Sequence, residues 1–357
     1  MVIWTGFVLS GSMYSPGRDA IAGDLGCGPI PRSDLFTSVV ALFDHAGECI
    51  WSRGLPGAVD LVDVAVGPDA EIVLAGQFAE TMDLGTGPLV SAGYKDGFVA
   101  KLTPSGETAW AIGFGDAWSD EVASVAVDET GAILLGGSFF DTLDLGGGPL
   151  DNPWPSAAAF LVELSPDGGY VHGQAIGGSD ESGVQIIAVA AGPGGRRTAV
   201  GSYKSIDLSG QETQSEGDAD GFIVSFESSG TPSWASTFGG PGRDLVRGLA
   251  VDPDGNAVVT GSFVSPARFA GQTIEATGYG DGFVTTYGPS GNLLAARAFG
   301  GLSGSDEMGT AVVTDSSRHA VLVGYFRGTA DLGTPSGPMT SESPWSRENF
   351  IARITLE

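Results

Sequence analysis

Short apolar stretches separated by glycine-rich turns run through the whole chain. Residues 245–306 show the pattern most clearly, with the stretches GLAV, NAVVTGSF, DGFVTTYG and NLLAARAFG, divided by the turns DPDG and GPSG. Short apolar runs bounded by Gly, Pro, Asn and Asp are typical of β-strands. We therefore predict four strands in this segment, named A to D in chain order.

The same four-strand pattern recurs along the chain. The strand B glycine recurs every 60–65 residues, as Gly11, Gly76, Gly137, Gly201, Gly261 and Gly324. The apolar start of strand C recurs as Val39, Phe98, Phe160, Phe222, Phe283 and Phe350. Two independent series with one period predict six repeats, at about 1–60, 61–120, 121–181, 182–244, 245–306 and 307–357.

Four strands in a repeat of this length match one blade of a β-propeller, whose sheet needs a neighbour on each side to bury both faces. A solenoid would have a shorter repeat, and a β-sandwich would not be periodic. The sequence therefore predicts an all-β fold: a single domain over residues 1–357, a six-bladed β-propeller of four antiparallel strands per blade with almost no helix. We expect the strand B glycines to admit close approach of the neighbouring blade.

The first and last repeats are incomplete. The first has strands B, C and D, and the last has strands A, B and C. Roughly twenty-five residues upstream of Met1, a strand from a partner, or an irregular last blade would account for this, and we expect the first of these. An open edge on the last strand C would otherwise invite a strand from another chain.

The repeat resembles a known group. VAVD followed by a strand ending in GSF, DGFVAKL with a PSG turn, and a strand ending in FGG are similar to the SBBP-type bacterial β-propeller repeat of secreted and surface-attached proteins of myxobacteria and related organisms. The order GLAVDPDGN is more distantly similar to NHL-type propeller repeats. The resemblance implies an extracellular or surface location and no assigned chemistry.

The net charge of the chain limits the classes of molecule that it can bind. Lys+Arg of 16 against Asp+Glu of 43 gives a formal net charge of −27. This charge repels nucleic acid backbones and anionic membrane surfaces. Two explanations of the negative charge are open: it keeps the protein soluble, or it forms a face that binds a cation or a basic partner. The predicted fold is compatible with a protein or glycan ligand. No apolar run in the sequence is long enough for membrane insertion.

Two cysteines, Cys27 and Cys49, both lie in the first repeat. They form either a disulfide or a pair of reduced, buried thiols. The start of the chain has no basic segment and no small-residue cleavage site, so no signal peptide is visible. We expect a secreted, periplasmic or cell-surface protein.

The long connections carry repeated aspartates. Strands alternate in direction, so the D–A and B–C connections are predicted to emerge on one face. Aspartates precede strand A (Asp60, Asp120, Asp180, Asp244, Asp306) and strand C (Asp96, Asp220, Asp281). A further set lies in the B–C connections (Asp83, Asp144, Asp207, Asp331). We expect this long-loop face to be acidic and to be the binding face.

Two interpretations of these aspartates stay open. A residue present once per blade commonly has the same structural role in each, here accepting hydrogen bonds from loop N–H groups. Alternatively, the carboxylates before strand A converge and bind Ca²⁺, with Asp120 and Asp244 as ligands. The cofactor is then Ca²⁺, and otherwise there is none.

Sequence signatures of catalysis are absent: the chain has no HExxH, GxSxG or P-loop motif. Residues that break the repeat are the candidates for an active site (Glu181, Asp218, Lys95, Arg243, Arg247, His172). We favour a non-catalytic binding or scaffold protein that uses the acidic face for a cation or a basic partner. A propeller enzyme of lyase or hydrolase type, with its site on the same face, is the alternative.

Overall fold

The structure, a computed structural model, describes residues 6–14, 21–31, 36–208, 210, 212–264, 266–277, 280–301, 307–315, 319–332, 337–343 and 346–355. The prediction of a nearly all-β fold is confirmed: six antiparallel sheets form the blades of a β-propeller. Within the described residues, helix is limited to the three-residue 3-10 turn Pro193–Gly195. The chain divides into two compact units, Met1–Pro153 with Ala159–Ala175, and Trp154–Ala158 with Ile176–Glu357. That residues 1–357 form a single domain stays a prediction.

The first unit contains three blades. Blade 1 has β1 (Gly6–Tyr14), β2 (Ile21–Asp24), β3 (Pro29–Pro31), β4 (Phe36–Asp44) and β5 (Cys49–Gly54). Blade 2 has β6 (Val59–Val66), β7 (Ile72–Phe78), β8 (Thr81–Asp83), β9 (Pro88–Val90), β10 (Asp96–Leu102) and β11 (Thr108–Phe114). Blade 3 has β12 (Glu121–Val127), β13 (Ile133–Phe139), β14 (Thr142–Leu143), β15 (Leu150–Asp151), β16 (Ala158–Leu164) and β17 (Tyr170–Ile176).

The second unit contains the other three blades. Blade 4 has β18 (Val184–Gly192), β19 (Arg196–Tyr203), β20 (Ser205–Asp207), β21 (Glu212–Gln214), β22 (Asp220–Phe226) and β23 (Pro232–Gly239). Blade 5 has β24 (Leu245–Val251), β25 (Ala257–Phe263), β26 (Ala267–Phe269), β27 (Gln272–Ile274), β28 (Asp281–Tyr287) and β29 (Leu293–Phe299). Blade 6 has β30 (Met308–Thr314), β31 (His319–Arg327), β32 (Thr329–Ala330), β33 (Met339–Thr340) and β34 (Arg347–Thr355).

The strand order confirms the predicted pattern of complete and incomplete blades. Blades 2 to 5 each contain strands A to D in order, whereas blade 1 has the order β1-β4-β5 and blade 6 the order β30-β31-β34 over the described residues. Each B–C connection also contains a two-stranded hairpin, which the sequence pattern did not indicate. In the second unit the hairpin β26–β27 of blade 5 extends the sheet of blade 4, because β26 pairs with β23.

The strand B glycines are explained by strand A of the same blade. A Cβ built on Gly261 would lie 1.8 Å from the carbonyl oxygen of Leu245, and one built on Gly137 would lie 1.9 Å from that of Glu121. The pairing of strands A and B shifts register directly after this contact, between Val246 and Gly248 in blade 5. A β-bulge in strand A therefore drives its backbone against the glycine. Our expectation that the neighbouring blade makes this close approach is wrong.

The DGF and FG sequence motifs pack against each other within a blade. A Cβ on Gly221 would lie 2.2 Å from the ring of Phe238, and a Cβ on Gly282 would lie 2.1 Å from the ring of Phe299. The glycine at the start of strand C thus makes room for the phenylalanine at the end of strand D. Next to it, Phe222 and Phe283, which are fully buried, fill the core of each blade.

Strand D tryptophans connect neighbouring blades within a unit. The indole Nε1–H of Trp51 donates to the carbonyl oxygen of Pro104 in the C–D turn of the next blade, at 3.0 Å. Trp234 donates to the carbonyl of Pro289 at 3.0 Å, and its ring stacks on Tyr287, with ring centroids 5.9 Å apart. These rings therefore fill the outer gap between blades while satisfying their polar atom, as a part-buried indole requires.

Candidate functional site

Two buried aspartates meet where blade 2 joins blade 3. The chain segments before their strands pair in parallel at Lys95 and Ser119, and the Asp120 N–H donates to the Lys95 carbonyl at 2.9 Å. This pairing places the Asp96 and Asp120 side chains on either side of Gly115, whose missing Cβ would lie 2.8 Å from the Asp96 Cγ and 2.7 Å from the Asp120 Oδ2. Asp96 is 3% exposed and Asp120 is 0% exposed. The loops thus hold two acidic groups out of water.

Each of these carboxylates accepts a hydrogen bond from the loop four residues before it. Asp96 Oδ2 accepts the Ala92 N–H at 2.8 Å, and Asp120 Oδ2 accepts the Asp116 N–H at 2.9 Å. Burial, together with the negative charges of Asp116 and Asp96, raises the pKa of Asp120 from 3.8 to about 7. This carboxyl therefore keeps its proton to a higher pH than an exposed aspartate does, and the proton relieves repulsion within the cluster.

The second unit repeats the arrangement. Asp220 Oδ2 accepts the Glu216 N–H at 3.1 Å, and Asp244 Oδ2 accepts the Gly240 N–H at 2.7 Å. Burial, with the charges of Asp244 and Glu216, raises the pKa of Asp220 to about 6. Burial also raises the pKa of Asp244 to about 6, although the N–H groups of Val264 and Gly240 oppose this.

The two acidic positions occur together. Asp281 and Glu307 occupy them between blades 5 and 6, and both are buried. In the second unit, Ala158 takes the place that Asp96 has before strand C, and Val184 takes the place that Asp120 has before strand A. Where one carboxylate is missing, so is its neighbour, which favours a shared role in joining the two loops.

The other predicted acidic positions lie elsewhere. Asp60 is the second residue of β6 and forms an exposed ion pair with Lys95, with 2.6 Å between Nζ and Oδ2. Asp180 lies in the D–A loop, where hydrogen bonds from the Ser182 side chain and N–H lower its pKa. Asp306 lies outside the described residues. The sequence placed all three with Asp120 and Asp244 because each precedes strand A by only a few residues.

Aspartates of the B–C hairpins stabilise their own turns. Asp83 Oδ1 accepts the N–H groups of Gly85 and Gly87, at 2.7 and 3.2 Å. Asp144 Oδ1 does the same with Gly146 and Gly148, at 2.7 and 3.1 Å. These four glycines have positive φ, from 93° to 114°. The DLGxG sequence therefore encodes an aspartate-capped turn.

A metal centre was the second interpretation of the aspartates. Over the part of the chain that the structure describes, no group of three or more His, Cys, Asp or Glu side chains is arranged to hold a metal ion. Asp120 lies in the first unit and Asp244 in the second, each with a neighbouring acidic residue and a loop N–H. Ca²⁺ binding by these two residues stays a hypothesis.

Cys27 and Cys49 are joined by a disulfide, with 5.5 Å between their Cα atoms. Cys27 lies in the turn of the β2–β3 hairpin, where the Asp24 carboxylate accepts the N–H groups of Gly26 and Gly28. Cys49 is the first residue of β5. The disulfide therefore fixes the hairpin to strand D of blade 1.

Three exposed aromatic side chains in the first unit form a surface that the sequence pattern did not reveal. Tyr94, Trp118 and Phe140, here called the aromatic surface, are 78, 56 and 49% exposed. The Trp118 and Phe140 rings have centroids 6.4 Å apart. Gly93, next to Tyr94, lies against the carbonyl oxygens of Asp116 and Trp118, since a Cβ there would be 2.4 Å from each.

A single carboxylate fixes the loops of the aromatic surface. Asp116 Oδ1 accepts the Trp118 N–H at 2.7 Å, and its Oδ2 accepts the Thr142 N–H at 3.0 Å, beside Phe140. The matching positions in blade 5 and its preceding loop are Val264 and Gly242. The signal in the sequence was therefore Trp118, because the matching positions of other repeats hold small residues (Gly57, Ser182, Gly242, Ser305). The Phe140 position varies among the repeats (Ala79, Lys204, Val264, Arg327) and gave no such signal.

The six candidates for catalysis are distributed over both units. Lys95 and His172 lie in the first unit, where Lys95 pairs with Asp60 and the His172 ring lies 3.8 Å from Glu163. The other four lie in the second unit (Glu181, Asp218, Arg243, Arg247). There Arg243 pairs through its backbone with Ala219. These contacts within each unit do not bring a nucleophile, a base and an orienting group together.

Comparison with known proteins supports a β-propeller built from repeats. No protein-family model matches the chain. An uncharacterized WD repeat-containing protein of Acanthamoeba polyphaga mimivirus is 22% identical over 444 aligned positions, which cover 100% of this chain and 31% of that protein. The chain thus spans less than a third of the length of this relative.

Similar solved structures are distant. A protein of unknown function from Bacteroides caccae gives a TM-score of 0.43 at 9% identity, covering 80% of this chain and 78% of that one. A mutant of the Synechocystis apocarotenoid oxygenase gives 0.39 at 11% identity, covering 97 and 78%. At these values the likeness carries no conclusion about function. Among the described residues, no helix is long and apolar enough to cross a membrane.

Proposed function

We propose that this protein is a non-catalytic binding or scaffold propeller that recognises a basic protein partner through its acidic long loops, with the aromatic surface as the centre of the contact. The observation that carries the proposal is the rigid, exposed group of Tyr94, Trp118 and Phe140. Large aromatic side chains are enriched at the energetic centres of protein interfaces. They also attract Arg and Lys side chains through their ring faces.

Charge favours a basic partner. The chain carries a net charge of −27, and exposed acidic residues adjoin the aromatic surface in sequence, Glu121 after the Trp118 loop and Asp141 after Phe140. Lys95, beside Tyr94, is engaged by Asp60 at 2.6 Å. An acidic surface of this kind accelerates the encounter with a basic protein and disfavours acidic ones.

We favour a basic partner over a bound cation because loop N–H groups already donate to at least one oxygen of each buried carboxylate predicted to bind Ca²⁺. Asp120 and Asp244 each accept loop N–H groups. The first interpretation of the aspartates, as acceptors of hydrogen bonds from loop N–H groups, therefore accounts for these contacts without an ion. The exposed aromatic surface, in contrast, has no comparable role within the fold.

We place the protein outside the cytoplasm, as a secreted, periplasmic or surface-displayed protein of the SBBP-type bacterial repeat group. The Cys27–Cys49 disulfide supports this location, because disulfides persist in oxidising compartments. The resemblance of the repeats points in the same direction.

Titration with a fluorescent oligo-arginine peptide tests the proposal. The intact protein should bind this peptide more tightly than a glycine-serine peptide of the same length, since the latter offers neither charge nor guanidinium groups. Replacing Trp118 and Phe140 together by Ser should weaken binding by about tenfold or more, as loss of an interface centre does. The control is Val264→Ser, the matching position of blade 5.

The two variants keep the same net charge, so non-specific attraction is equal in both. Equal affinities of the double variant and the control would refute the aromatic surface as the binding site. Binding of the parent to a glycan array, lost in the double variant while peptide binding is unchanged, would instead identify a carbohydrate ligand.

A further inference from the structure

The second unit contains a cavity of about 210 Å³ at the junction of blades 4 and 5. Its walls come from the end of β19, the hairpin β20–β21, the end of β23 and the hairpin β26–β27. The pairing of β23 with β26 sets Arg268 opposite Gly239. This pairing means that backbone as well as side chains forms the wall of the cavity.

The floor of the cavity carries a buried carboxylate. Asp220 is 4% exposed, and its Oδ1 has no hydrogen-bond partner among the residues that the structure describes. This oxygen lies against the Gly239 Cα, since a Cβ there would be 2.7 Å from it. Gly239 and Asp220 both line the cavity, and a side chain at position 239 would cover the Asp220 carboxylate. A buried acceptor without a donor is costly, and a ligand that donates to it removes that cost.

The cavity also contains a hydroxyl group that breaks the repeat. Tyr203 ends strand B of blade 4, where blades 2, 3, 5 and 6 have Phe78, Phe139, Phe263 and Phe326. Its side chain hydrogen-bonds that of Thr237, which also lines the cavity. The Phe238 ring adds an aromatic wall. A carboxylate beside aromatic rings is the combination that binds ammonium groups.

The local charge is negative. Asp220 is surrounded by Glu216 from the loop before β22, by Asp244 from the loop before β24, by Tyr203 on β19 and by Arg268 on β26. Arg268 is paired with Glu216 at the exposed rim, at 3.4 Å. Three carboxylates against one guanidinium group leave an excess of negative charge, which a cationic ligand would neutralise.

We infer that this cavity binds the primary ammonium group of an aliphatic amine, with Asp220 and Glu216 as acceptors and the Tyr203 and Phe238 rings as walls. The ammonium group comes either from a free small amine or from a lysine side chain of a bound peptide. This inference is independent of the proposed function, because the aromatic surface lies in the other unit.

Isothermal titration of the intact protein with 1,4-diaminobutane and with Nα-acetyl-lysine methylamide tests the inference. Saturable binding of at least one of the two is expected. Binding of the diamine alone identifies a free amine, and binding of the lysine derivative alone identifies a lysine side chain. Asp220→Asn should weaken binding by about tenfold or more, because the amide oxygen lacks the negative charge that strengthens the hydrogen bond to an ammonium group.

Three further variants make the test specific. Asp96→Asn, the same position in blade 2, should bind as the parent does. Glu216→Gln, at the exposed rim, should weaken binding without threatening the fold. Arg268→Gln should strengthen binding, since it removes a competing cation. Affinity should also fall between pH 8 and pH 5, because burial raises the pKa of Asp220 to about 6 and its protonated form does not attract an ammonium group.

Four results would overturn the inference: no saturable binding of either probe, equal affinity in Asp220→Asn and the parent, weaker binding in Arg268→Gln, or a response to Ca²⁺ without one to either amine. The third would indicate that Arg268 holds the cavity wall in place and does not compete with the amine. None of these results bears on oligo-arginine binding by the aromatic surface, so the two proposals fail separately.

Discussion

The Gly261 Cα lies against the Leu245 carbonyl oxygen so closely that a Cβ on it would be 1.8 Å from that oxygen. The contact recurs at the matching glycine of blades 2, 3, 4 and 6, and each time the opposing atom is a strand A carbonyl (Asp60, Glu121, Gln185, Met308). The periodic glycine and the strand A bulge are therefore one feature. Every complete A–B pair of the fold depends on it.

Gly261→Ala should destabilise the protein by about 1–3 kcal/mol, because backbone must move to admit the methyl group. Gly11→Ala is the matched control: Gly11 occupies the same position in blade 1, where no atom of the described residues lies within 4 Å of a built Cβ. Thermal melts of both variants check this prediction. A similar change in melting temperature for the two would contradict the role of the bulge.

The buried carboxyls should make the protein less stable as the pH rises. Burial raises the pKa of Asp120 from 3.8 to about 7, so the folded state binds more protons than the unfolded chain between these values. Its contribution to stability is complete below about pH 4 and is lost as the pH rises through 7. Asp120→Asn should therefore raise stability at pH 8 by roughly 1–3 kcal/mol and have a much smaller effect at pH 4.

Denaturant unfolding at the two pH values measures this difference. Asp60→Asn, which alters an exposed ion pair, is the control and should change stability by less than about 1 kcal/mol at either pH. If Asp120→Asn destabilises the protein equally at pH 4 and pH 8, its charge has no effect on the fold.

Millimolar Ca²⁺ added after chelation should leave the melting temperature unchanged, because loop N–H groups already donate to Asp120 and Asp244. The same melt on the double variant Asp120→Asn with Asp244→Asn is the control. A Ca²⁺-dependent rise in the parent that is absent from the double variant would establish these residues as metal ligands and contradict our preference.

Reduction of the Cys27–Cys49 disulfide should lower the free energy of unfolding by about 3 kcal/mol, the effect expected for a cross-link across 22 residues. Denaturant unfolding with and without reductant measures it. A variant with both cysteines changed to Ser should match the reduced protein and no longer respond to reductant. Full stability in the reduced protein would show that the hairpin of blade 1 is held by other contacts.

The fold could be predicted from the sequence because each blade repeats the same strands, turns and glycine positions. The spacing of Gly76, Gly137 and Gly201 marked strand B correctly, since only glycine fits beside the bulge. The atom that imposes the glycine could not be predicted, because a bulge in strand A changes neither its composition nor its apolar pattern. The hairpins of the B–C connections were missed because their strands are only two to four residues long.

The candidate sites were harder to predict because they lie where the repeat fails. Asp120 and Asp60 look alike in sequence, but one is buried and the other is in an exposed ion pair. Asp60 comes one residue, and Asp120 two residues, before the residue that pairs with the strand B glycine, so their side chains lie on different faces. Trp118 and Tyr203 each occur in one repeat only: Gly242 is at the position of Trp118 before blade 5, and Phe is at the position of Tyr203 in blades 2, 3, 5 and 6. The aspartates, in contrast, drew attention because they recur, and recurrence marks their structural role in the loops.

The central claim, that the aromatic surface is the binding site, is tested most directly by hydrogen–deuterium exchange with and without the oligo-arginine peptide. Protection should appear at residues 92–95, 116–119 and 140–142. Asp116 joins the second and third segments, and the pairing of Lys95 with Ser119 joins the first to the second. The variant with Trp118 and Phe140 changed to Ser should show no protection there. Protection confined to other segments of the chain, or none at a saturating peptide concentration, would contradict the claim.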